Sequence, residues 1–224
     1  MGCGNEGKQA MWRICAILAL AVLTAGCAKD FNTTNTARYY DAGTRAEAAR
    51  DFPGAEEYYG RALIWAGTEH VPAALLSLTM YNLGRMKGHA CKFDEARELL
   101  LTSLALEEST SGPASAQVSR RLFELGRLYY DRRLYTESVP YYSQGVAMVR
   151  RLKLEDDEPV TFTEALQDYA NALREAGDQR QADGLRSEIT ARRNQEVGAR
   201  PRYLIARYSP TCRNGHMLVY SGRA

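Results

Sequence analysis

The side chains that could support catalysis or metal binding are few, and their spacing fits no familiar site. The 224-residue chain has five cysteines and three histidines, and no two cysteines have CxxC spacing. His89 and Cys91 lie close together in sequence, but a structural zinc site needs more ligands than these two. The sequence also lacks the GxSxG, HExxH and glycine-rich phosphate-binding patterns. We therefore expect a protein that is not an enzyme, holds no cofactor or metal and acts on no small-molecule substrate.

Two of the cysteines are candidates for a disulfide. Cys91 occupies a predicted turn between two helices, and Cys212 lies near the C-terminus. A bond between them is compatible with an oxidising compartment. Sequence alone gives no distance between the two residues, so the pairing is left open.

Charge is distributed unevenly along the chain. The formal net charge is +2, yet the segment from Arg192 to the C-terminus contains seven Arg and one Glu, a surplus of six. The first 26 residues have a surplus of one, so the 165 residues between carry the balance of −5. A nucleic-acid-binding domain concentrates basic residues on its folded surface. An acidic body with a basic tail therefore argues against a nucleic-acid partner.

The N-terminal segment is typical of a targeting signal rather than of a folded element. Two basic residues precede a 15-residue uncharged run over 14–28, which is shorter than the about 20 residues that a membrane-spanning helix needs. The run contains Leu-Thr-Ala-Gly-Cys, which resembles the lipobox of bacterial lipoproteins, in which cleavage before the cysteine exposes it for lipidation. The resemblance implies a signal peptide over 1–26, a lipidated Cys27 and a polar tether over 27–36.

A lipid anchor at this cysteine would hold the protein in the bacterial cell envelope. Ala28 follows the cysteine, and in the sorting pattern of enteric bacteria a residue other than Asp there implies the outer membrane, facing the periplasm. Three alternatives stay open. Translation could begin at Met11, or the apolar run could remain as an uncleaved anchor. Met1-Gly2-Cys3 could also be acylated, although Glu6 stands where myristoylation prefers Ser or Thr.

The rest of the chain repeats one pattern four times. In each copy a large apolar residue precedes a small one, a turn follows, and a second small residue stands twelve positions after the first. Small residues at fixed positions of paired helices allow the two backbones to approach closely, because no bulky side chain separates them. The four pairs are Gly43 and Ala55, Gly84 and Ala96, Gly126 and Ser138, and Ala170 and Ala182.

This pattern resembles the tetratricopeptide repeat (TPR). Successive copies are 41, 42 and 44 residues apart instead of about 34, which is similar to the longer repeats of kinesin light chains. The resemblance implies an all-α fold, a TPR-type solenoid of about four antiparallel helix pairs in a right-handed superhelix over 37–197. The expected bounds are 37–68, 72–108, 113–152 and 159–197 for the repeats and 198–224 for a basic tail.

Prolines mark the predicted boundaries. Pro72, Pro113 and Pro159 each stand where the first helix of a repeat should begin, a position that tolerates the missing N–H group. Beyond the last repeat, Pro201 interrupts any helix. Three interpretations of the tail stay open: a cap over the last repeat, a contact with anionic lipid or cell-wall polymer, or a loosely ordered extension without a role.

The resemblance also implies a binding surface, because partner peptides of this family usually contact the concave face formed by the first helix of each repeat. Aromatic and arginine side chains recur there, and they suit an extended peptide with carboxylates, since arginine pairs with a carboxylate through two hydrogen bonds. The competing interpretation is that the aromatics pack within the helices and the arginines are solvated. The corresponding residues are Tyr40, Thr44, Tyr81, Arg85, Arg120, Phe123, Arg127, Tyr130, Asn171 and Arg174.

Together these features predict a binding protein. We expect a non-enzymatic scaffold or adaptor, anchored to the envelope membrane through its lipid, that holds other proteins or extended peptides in its concave surface. Two alternatives remain: a pilotin-like assembly factor for a secretion or pilus system, and an accessory regulator of an envelope hydrolase. Self-association is left open.

Overall fold

The structure, a computed structural model, describes residues 31–68, 70–196 and 207–208, together with the backbone of 212–213 and 216–217. Cys27 and the predicted signal peptide lie outside this range. The described residues form helix α1 over 31–48, and helices α2 Phe52–Ala66, α3 Ala73–His89, α4 Phe93–Ser111, α5 Ala116–Asp131, α6 Tyr135–Leu152, α7 Pro159–Glu175 and α8 Gln179–Gln195. Two short strands, β1 Cys212–Arg213 and β2 His216–Met217, pair in antiparallel register.

The helices pack as successive pairs joined by short turns. Helix α3 packs on α4, α5 on α6 and α7 on α8, and each pair also packs on the next. Helix α5 contacts both α3 and α7, so the first helices of the repeats line one face. We call the surface formed by α1, α3, α5 and α7 the groove. The predicted all-α architecture of stacked helix pairs is confirmed. In the part of the chain that is described, no helix is both long enough and apolar enough to cross a membrane.

Small residues lie where the two helices of a repeat approach each other. In the first three repeats the first small residue is glycine, and a Cβ atom there would lie only 2.7 to 3.0 Å from a side chain of the second helix. The facing side chains are Tyr59, Leu100 and Tyr142. The other small residues of the pattern are at most 6% exposed and pack inside the repeats: Ala55, Ala96, Ser138, Ala170 and Ala182. The glycines thus set the helix spacing within the first three repeats.

The turn inside each repeat has the same backbone conformation. One residue per turn adopts the left-handed region, with φ of 60° at Arg50, 63° at Cys91, 61° at Arg133 and 93° at Gly177. Cys91 therefore occupies the same turn position as Gly177. Its side chain is only 2% exposed and is disulfide-bonded. The pairing with Cys212 stays a prediction, since the side chain of Cys212 lies outside the described residues.

Some predicted boundaries differ from the structure. Helix α1 already includes residues 31–36, which were assigned to the tether. Pro159 begins α7 as predicted, and Pro72 is the N-cap of α3. The prediction for Pro113 is wrong, because α5 begins only at Ala116. The hydroxyl of Ser115 accepts a hydrogen bond from the Val118 backbone N at 3.2 Å, so a side-chain cap starts this helix.

Candidate functional site

A group of charged and aromatic side chains meets in the middle of the groove. On α3, Tyr81, Arg85 and His89 follow one another at intervals of four residues, which places them on one helix face. On α5, acidic and basic residues recur at intervals of three and four. Helices α1 and α7 each add a carboxylate. We call the whole set the groove cluster: Glu47, Tyr81, Arg85, His89, Glu124, Arg127, Tyr130, Asp131 and Asp168.

The Glu124 carboxylate lies at the centre of the groove cluster, and only 4% of the residue is exposed. Arg127 Nη1 lies 3.1 Å and Arg85 Nε 3.7 Å from Glu124 Oε2. The Tyr81 hydroxyl donates to the same oxygen at 3.4 Å, and the Tyr208 hydroxyl donates to Oε1. Burial by itself raises the pKa of Glu124, but the two arginines and the Tyr208 hydrogen bond hold it below its ordinary value. This buried carboxyl is therefore ionised.

Arg85 connects the first three repeats through the groove. Its guanidinium pairs with Glu47 on α1 as well as with Glu124 on α5, and it lies 5.7 Å from the ring centroid of Tyr81. Burial lowers the pKa of Arg85, but the surrounding tyrosine and carboxylates raise it above its ordinary value. Burial also raises the pKa of Tyr81 to about 12. The charge of Arg85 is thus already balanced by carboxylates of the groove itself.

Residues from the basic tail complete the groove cluster. Arg207 Nη1 lies 3.0 Å from Asp131 Oδ1 on α5, and Arg207 Nη2 pairs with Asp168 Oδ1 on α7. The same guanidinium lies 5.3 Å from the ring centroid of Tyr130. Burial raises the pKa of Asp131 to about 6, although the charge of Arg207 acts in the opposite direction. One tail side chain therefore bridges carboxylates of two repeats.

Tyr208 fills a slot beside this ion pair and is only 3% exposed. Its backbone N donates to Asp131 Oδ2 at 2.9 Å, and its ring lies 5.0 Å from that of His89. A Cβ atom at Gly88 would lie 2.2 Å from the Tyr208 ring, so the absence of a side chain at Gly88 makes room for the tyrosine. None of the three interpretations of the tail predicted this docking in the groove.

Four of the predicted binding residues belong to the groove cluster: Tyr81, Arg85, Arg127 and Tyr130. Phe123 lies next to the cluster, with its ring 6.5 Å from Tyr142 and 6.5 Å from Phe162. Both arginines of the groove cluster pair with its own carboxylates instead of facing solvent. This differs from the expectation of free arginines that wait for the carboxylates of a peptide.

The other predicted residues lie around the rim. The Tyr40 hydroxyl accepts a hydrogen bond from Asn82 Nδ2 at 2.7 Å, and Thr44 lies 3.2 Å from the Tyr59 hydroxyl. Asn171 Nδ2 donates to the Tyr130 hydroxyl at 3.3 Å. Of the two exposed arginines, Arg120 pairs with Glu158, the residue before α7, at 3.1 Å, and Arg174 pairs with the side chain of Asn171 on its own helix.

The carboxylates of the groove, His89 and the two tail residues were not predicted from the sequence. A signal for the tail was present, because the body carries −5 and the C-terminal segment has a surplus of six positive charges. Opposite charges on two parts of one chain favour their contact. The spacing of three between Glu124 and Arg127 on a helix also indicated an ion pair.

A cavity continues from the docked tail between α5 and α7. Its volume is about 240 Å³, and the side chains of Phe123, Arg127, Asp168 and Arg207 contribute to its wall. No group of three or more His, Cys, Asp or Glu among the described residues could hold a metal ion. The arrangement offers fixed charges and apolar walls to a chain segment that lies across the repeats.

Comparison with known proteins identifies the repeat. Residues 75–151 match the family model of the tetratricopeptide repeat. Comparison with curated proteins gave no match.

Three solved structures show the same fold. BtubC (BKLC) from P. vanneervenii superposes with a TM-score of 0.67 at 18% identity, covering 76% of this chain and 68% of that one. The TPR-like repeats of a putative kinesin light chain from Podosopora anserina give a TM-score of 0.56 at 19% identity, with 74% and 77% covered. The Rap conjugation gene regulator of plasmid pLS20, in complex with its Phr peptide, gives 0.57 at 11% identity, with 70% and 42% covered. The described residues thus have the fold of a TPR solenoid, similar to that of kinesin light chains, and residues 75–151 match the tetratricopeptide repeat in sequence.

Proposed function

We propose that this protein is a binding scaffold whose groove receives an extended segment of a partner protein. The observation that carries the proposal is that the groove already holds a chain segment, since Arg207 and Tyr208 dock there through ion pairs, a backbone hydrogen bond and a buried ring. The Rap regulator, which has a similar fold, was solved with a peptide. That likeness supports the proposal at the level of the fold.

The chemistry of the groove fits recognition. Its charged groups are buried and paired, so an incoming segment must match them in charge and geometry or leave a buried charge without a partner. Aromatic side chains, such as Tyr81 and Tyr130, add apolar area that loses little entropy on binding. Such a groove selects a segment whose charges and rings lie at matching positions, and this selection needs no catalytic step.

We further propose that the scaffold is anchored to the bacterial envelope through Cys27. The proposal rests on the lipobox-like sequence and on the polar stretch that follows it. Cells grown with a fatty-acid probe should label the wild-type protein and not the Cys27→Ala variant. Equal labelling of the two proteins would refute the anchor.

Site-specific crosslinking tests the binding function. A photoreactive residue at Glu164, an exposed position that lines the cavity, should capture a partner protein in intact cells. The matched control is the same residue at Glu98, which is exposed on α4 outside the groove. Capture from Glu164 and not from Glu98 is expected, because the partner lies in the groove. Equal capture at both positions, or at neither, would contradict the proposal.

A further inference from the structure

We infer that the groove recognises an arginine directly followed by a tyrosine, and that Arg207-Tyr208 occupies this site until a partner segment with the same pair replaces it. The inference rests on the proposed binding function and adds to it the chemistry of the ligand and the identity of the group that must leave. Two subsites of the groove cluster, one for each side chain, carry the inference.

The first subsite selects the arginine. The side chains of Asp131 and Asp168 are 10% and 9% exposed, and among the described residues Arg207 is the only cation that forms an ion pair with either. Without it, neither carboxylate would have an ion-pair partner among the described residues, so a segment that covers them must supply a cation or pay for burying them unpaired. A planar guanidinium can bridge two carboxylates and lie over an aromatic ring at the same time, as Arg207 does over Tyr130. A lysine ammonium matches this geometry poorly, and an acidic residue would be repelled.

The second subsite selects the tyrosine. The ring of Tyr208 lies against Gly88 and His89, and its hydroxyl reaches Glu124 at the bottom of the slot. Phenylalanine would fill the slot but leave Glu124 with one donor fewer. The hydrogen bond from the Tyr208 backbone N to Asp131 fixes the register, because the same carboxylate pairs with the preceding arginine. The two subsites therefore recognise an arginine and a tyrosine that are adjacent in sequence.

The docked tail leaves part of the groove available. The side chain of Arg207 is still 46% exposed, and the cavity of about 240 Å³ continues from it between α5 and α7. A partner segment with further residues beyond the Arg-Tyr pair can bury surface in this cavity. The covalent connection gives the tail an effective concentration on the order of millimolar. The tail thus excludes weak ligands and yields to a longer matching segment.

Peptide binding to the full chain tests the inference. The probe is a fluorescent peptide with the sequence of residues 203–210, Tyr-Leu-Ile-Ala-Arg-Tyr-Ser-Pro, and the readout is anisotropy. The Arg207→Ala/Tyr208→Ala chain, whose own segment no longer competes, should bind the peptide at least tenfold more tightly than the wild-type chain. Peptides with Glu in place of Arg, or Ala in place of Tyr, should bind the double variant at least tenfold more weakly. Equal affinity of the two chains, or of the three peptides, would overturn the inference.

A pair of groove variants provides the matched control. In the double-variant chain, Gly88→Ala places a methyl group in the tyrosine slot and should weaken the peptide at least tenfold. Gly184→Ala, in α8, meets no atom within 4 Å and should leave the affinity unchanged. Both are glycine-to-alanine changes within helices, so circular dichroism should show intact helices in both. An unchanged affinity of the Gly88→Ala chain would overturn the tyrosine subsite.

Two further outcomes separate this inference from the proposed function. If crosslinking from Glu164 captures a partner while the double variant ignores the Arg-Tyr peptide, the ligand chemistry is wrong and the scaffold function stands. If crosslinking and peptide binding both fail, both proposals are wrong. A wild-type dimer that dissociates on the double substitution would make the tail of a second copy the occupant and overturn docking within one chain.

Discussion

Two buried polar clusters lie close together in this solenoid, and they differ in how they are completed. The interior cluster consists of Ser77 on α3, Ser103 and Glu107 on α4, and Arg121 on α5. The groove cluster uses the next two turns of α5, together with α1, α3 and α7. The interior cluster is satisfied by the repeats alone, whereas the groove cluster is completed by the tail.

In the interior cluster, Arg121 makes close contacts with each of the other members. Its Nη2 lies 2.8 Å from Glu107 Oε2 and 2.8 Å from Ser77 Oγ, and its Nε donates to Ser103 Oγ at 2.7 Å. The side chains of Arg121 and Glu107 are 3% and 5% exposed. Since every contact joins helices of adjacent repeats, this cluster fixes how α3, α4 and α5 stack.

In the groove cluster, the contacts of Asp131 and Asp168 reach outside the repeats. Both carboxylates pair with Arg207, and Glu124 accepts the hydroxyl of Tyr208. Under the proposed function, a buried charge whose partner comes from a separate segment marks the binding site, because another segment of the same chemistry can take its place. The comparison teaches that burial of charge alone does not identify a site. The source of the countercharge does.

The largest expected effect is the loss of the interior cluster. Arg121→Met should lower the free energy of unfolding by about 3–5 kcal/mol, because it leaves Glu107 buried without a countercharge. Urea denaturation would measure the change. The control is Arg61→Ala, which removes an ion pair whose side chains are 52% and 62% exposed and should cost less than about 0.5 kcal/mol. A similar loss of unfolding free energy in both variants would show that the interior cluster does not stabilise the fold.

The second prediction concerns how the stability of the protein depends on pH through His89, which belongs to the groove cluster. Burial lowers the pKa of His89 to about 4, and the ring stacks on Phe52 at 4.3 Å. The unfolded chain, with a histidine pKa of about 6.5, binds the proton first as pH falls, so stability is lost between pH 6.5 and 4. From pH 7.5 to 5 the contribution of His89 should fall by roughly 2 kcal/mol. Asp131 partly offsets this loss, because its raised pKa lets the folded chain bind a proton in the same range. The charged and titratable groups that also act on His89 are Glu124, Arg85, Glu47, Arg127 and Tyr208.

Urea denaturation at both pH values, in the wild type and in His89→Phe, would measure this slope. The phenylalanine variant keeps an aromatic ring between its neighbours and should show a shallower loss towards pH 5. The same slope in both proteins would mean that other groups set the pH dependence.

A smaller effect is expected when the tyrosine slot alone is filled. Gly88→Ala should expel Tyr208, and the lost burial of about 2 kcal/mol is partly offset by the better helix propensity of alanine, about 1 kcal/mol. The net loss of stability should be about 1 kcal/mol, while limited proteolysis after Arg207 should become several times faster. Gly184→Ala should neither lower the stability nor speed up the proteolysis. Resistance to proteolysis in Gly88→Ala would show that the slot does not hold the tail.

The smallest expected effect concerns the disulfide of Cys91. We predict that its partner is Cys212, which stands four residues after Tyr208 and would keep the tail near the groove. Mass spectrometry of an unreduced digest should find one crosslinked peptide that contains both cysteines. Because the tail would then compete less well with the Arg-Tyr peptide, Cys212→Ser should tighten peptide binding about twofold. A Cys91 linked to any other cysteine would contradict this assignment.

Much of the fold was predictable because it depends on local and repeated features. The spacing of twelve between small residues such as Gly126 and Ser138 reflects helix packing within one repeat and is visible in any copy. The start of α5 was not predictable from Pro113 alone, because Ser115 caps the helix two residues later. Local signals compete at helix ends, and tertiary packing decides between them.

The groove was predictable only in part. Tyr81, Arg85 and Arg127 followed from the resemblance to the repeat family, but the buried carboxylates did not, since acidic residues on helices are mostly solvated. Docking of Tyr208 on Glu124 joins residues 84 positions apart in the chain. Contacts at that separation have no periodic signature, and the opposite charges of body and tail gave the only hint.

Hydrogen exchange on the wild-type and Arg207→Ala/Tyr208→Ala chains would show whether the tail completes the groove cluster. Amide exchange at the end of α3 and over 124–131 of α5 should be faster in the variant, because the groove cluster loses its partner. Exchange in α4, which holds the interior cluster, should stay the same. Unchanged exchange over 124–131, or an equal rise in α4, would contradict the claim that the tail completes the groove and not the solenoid.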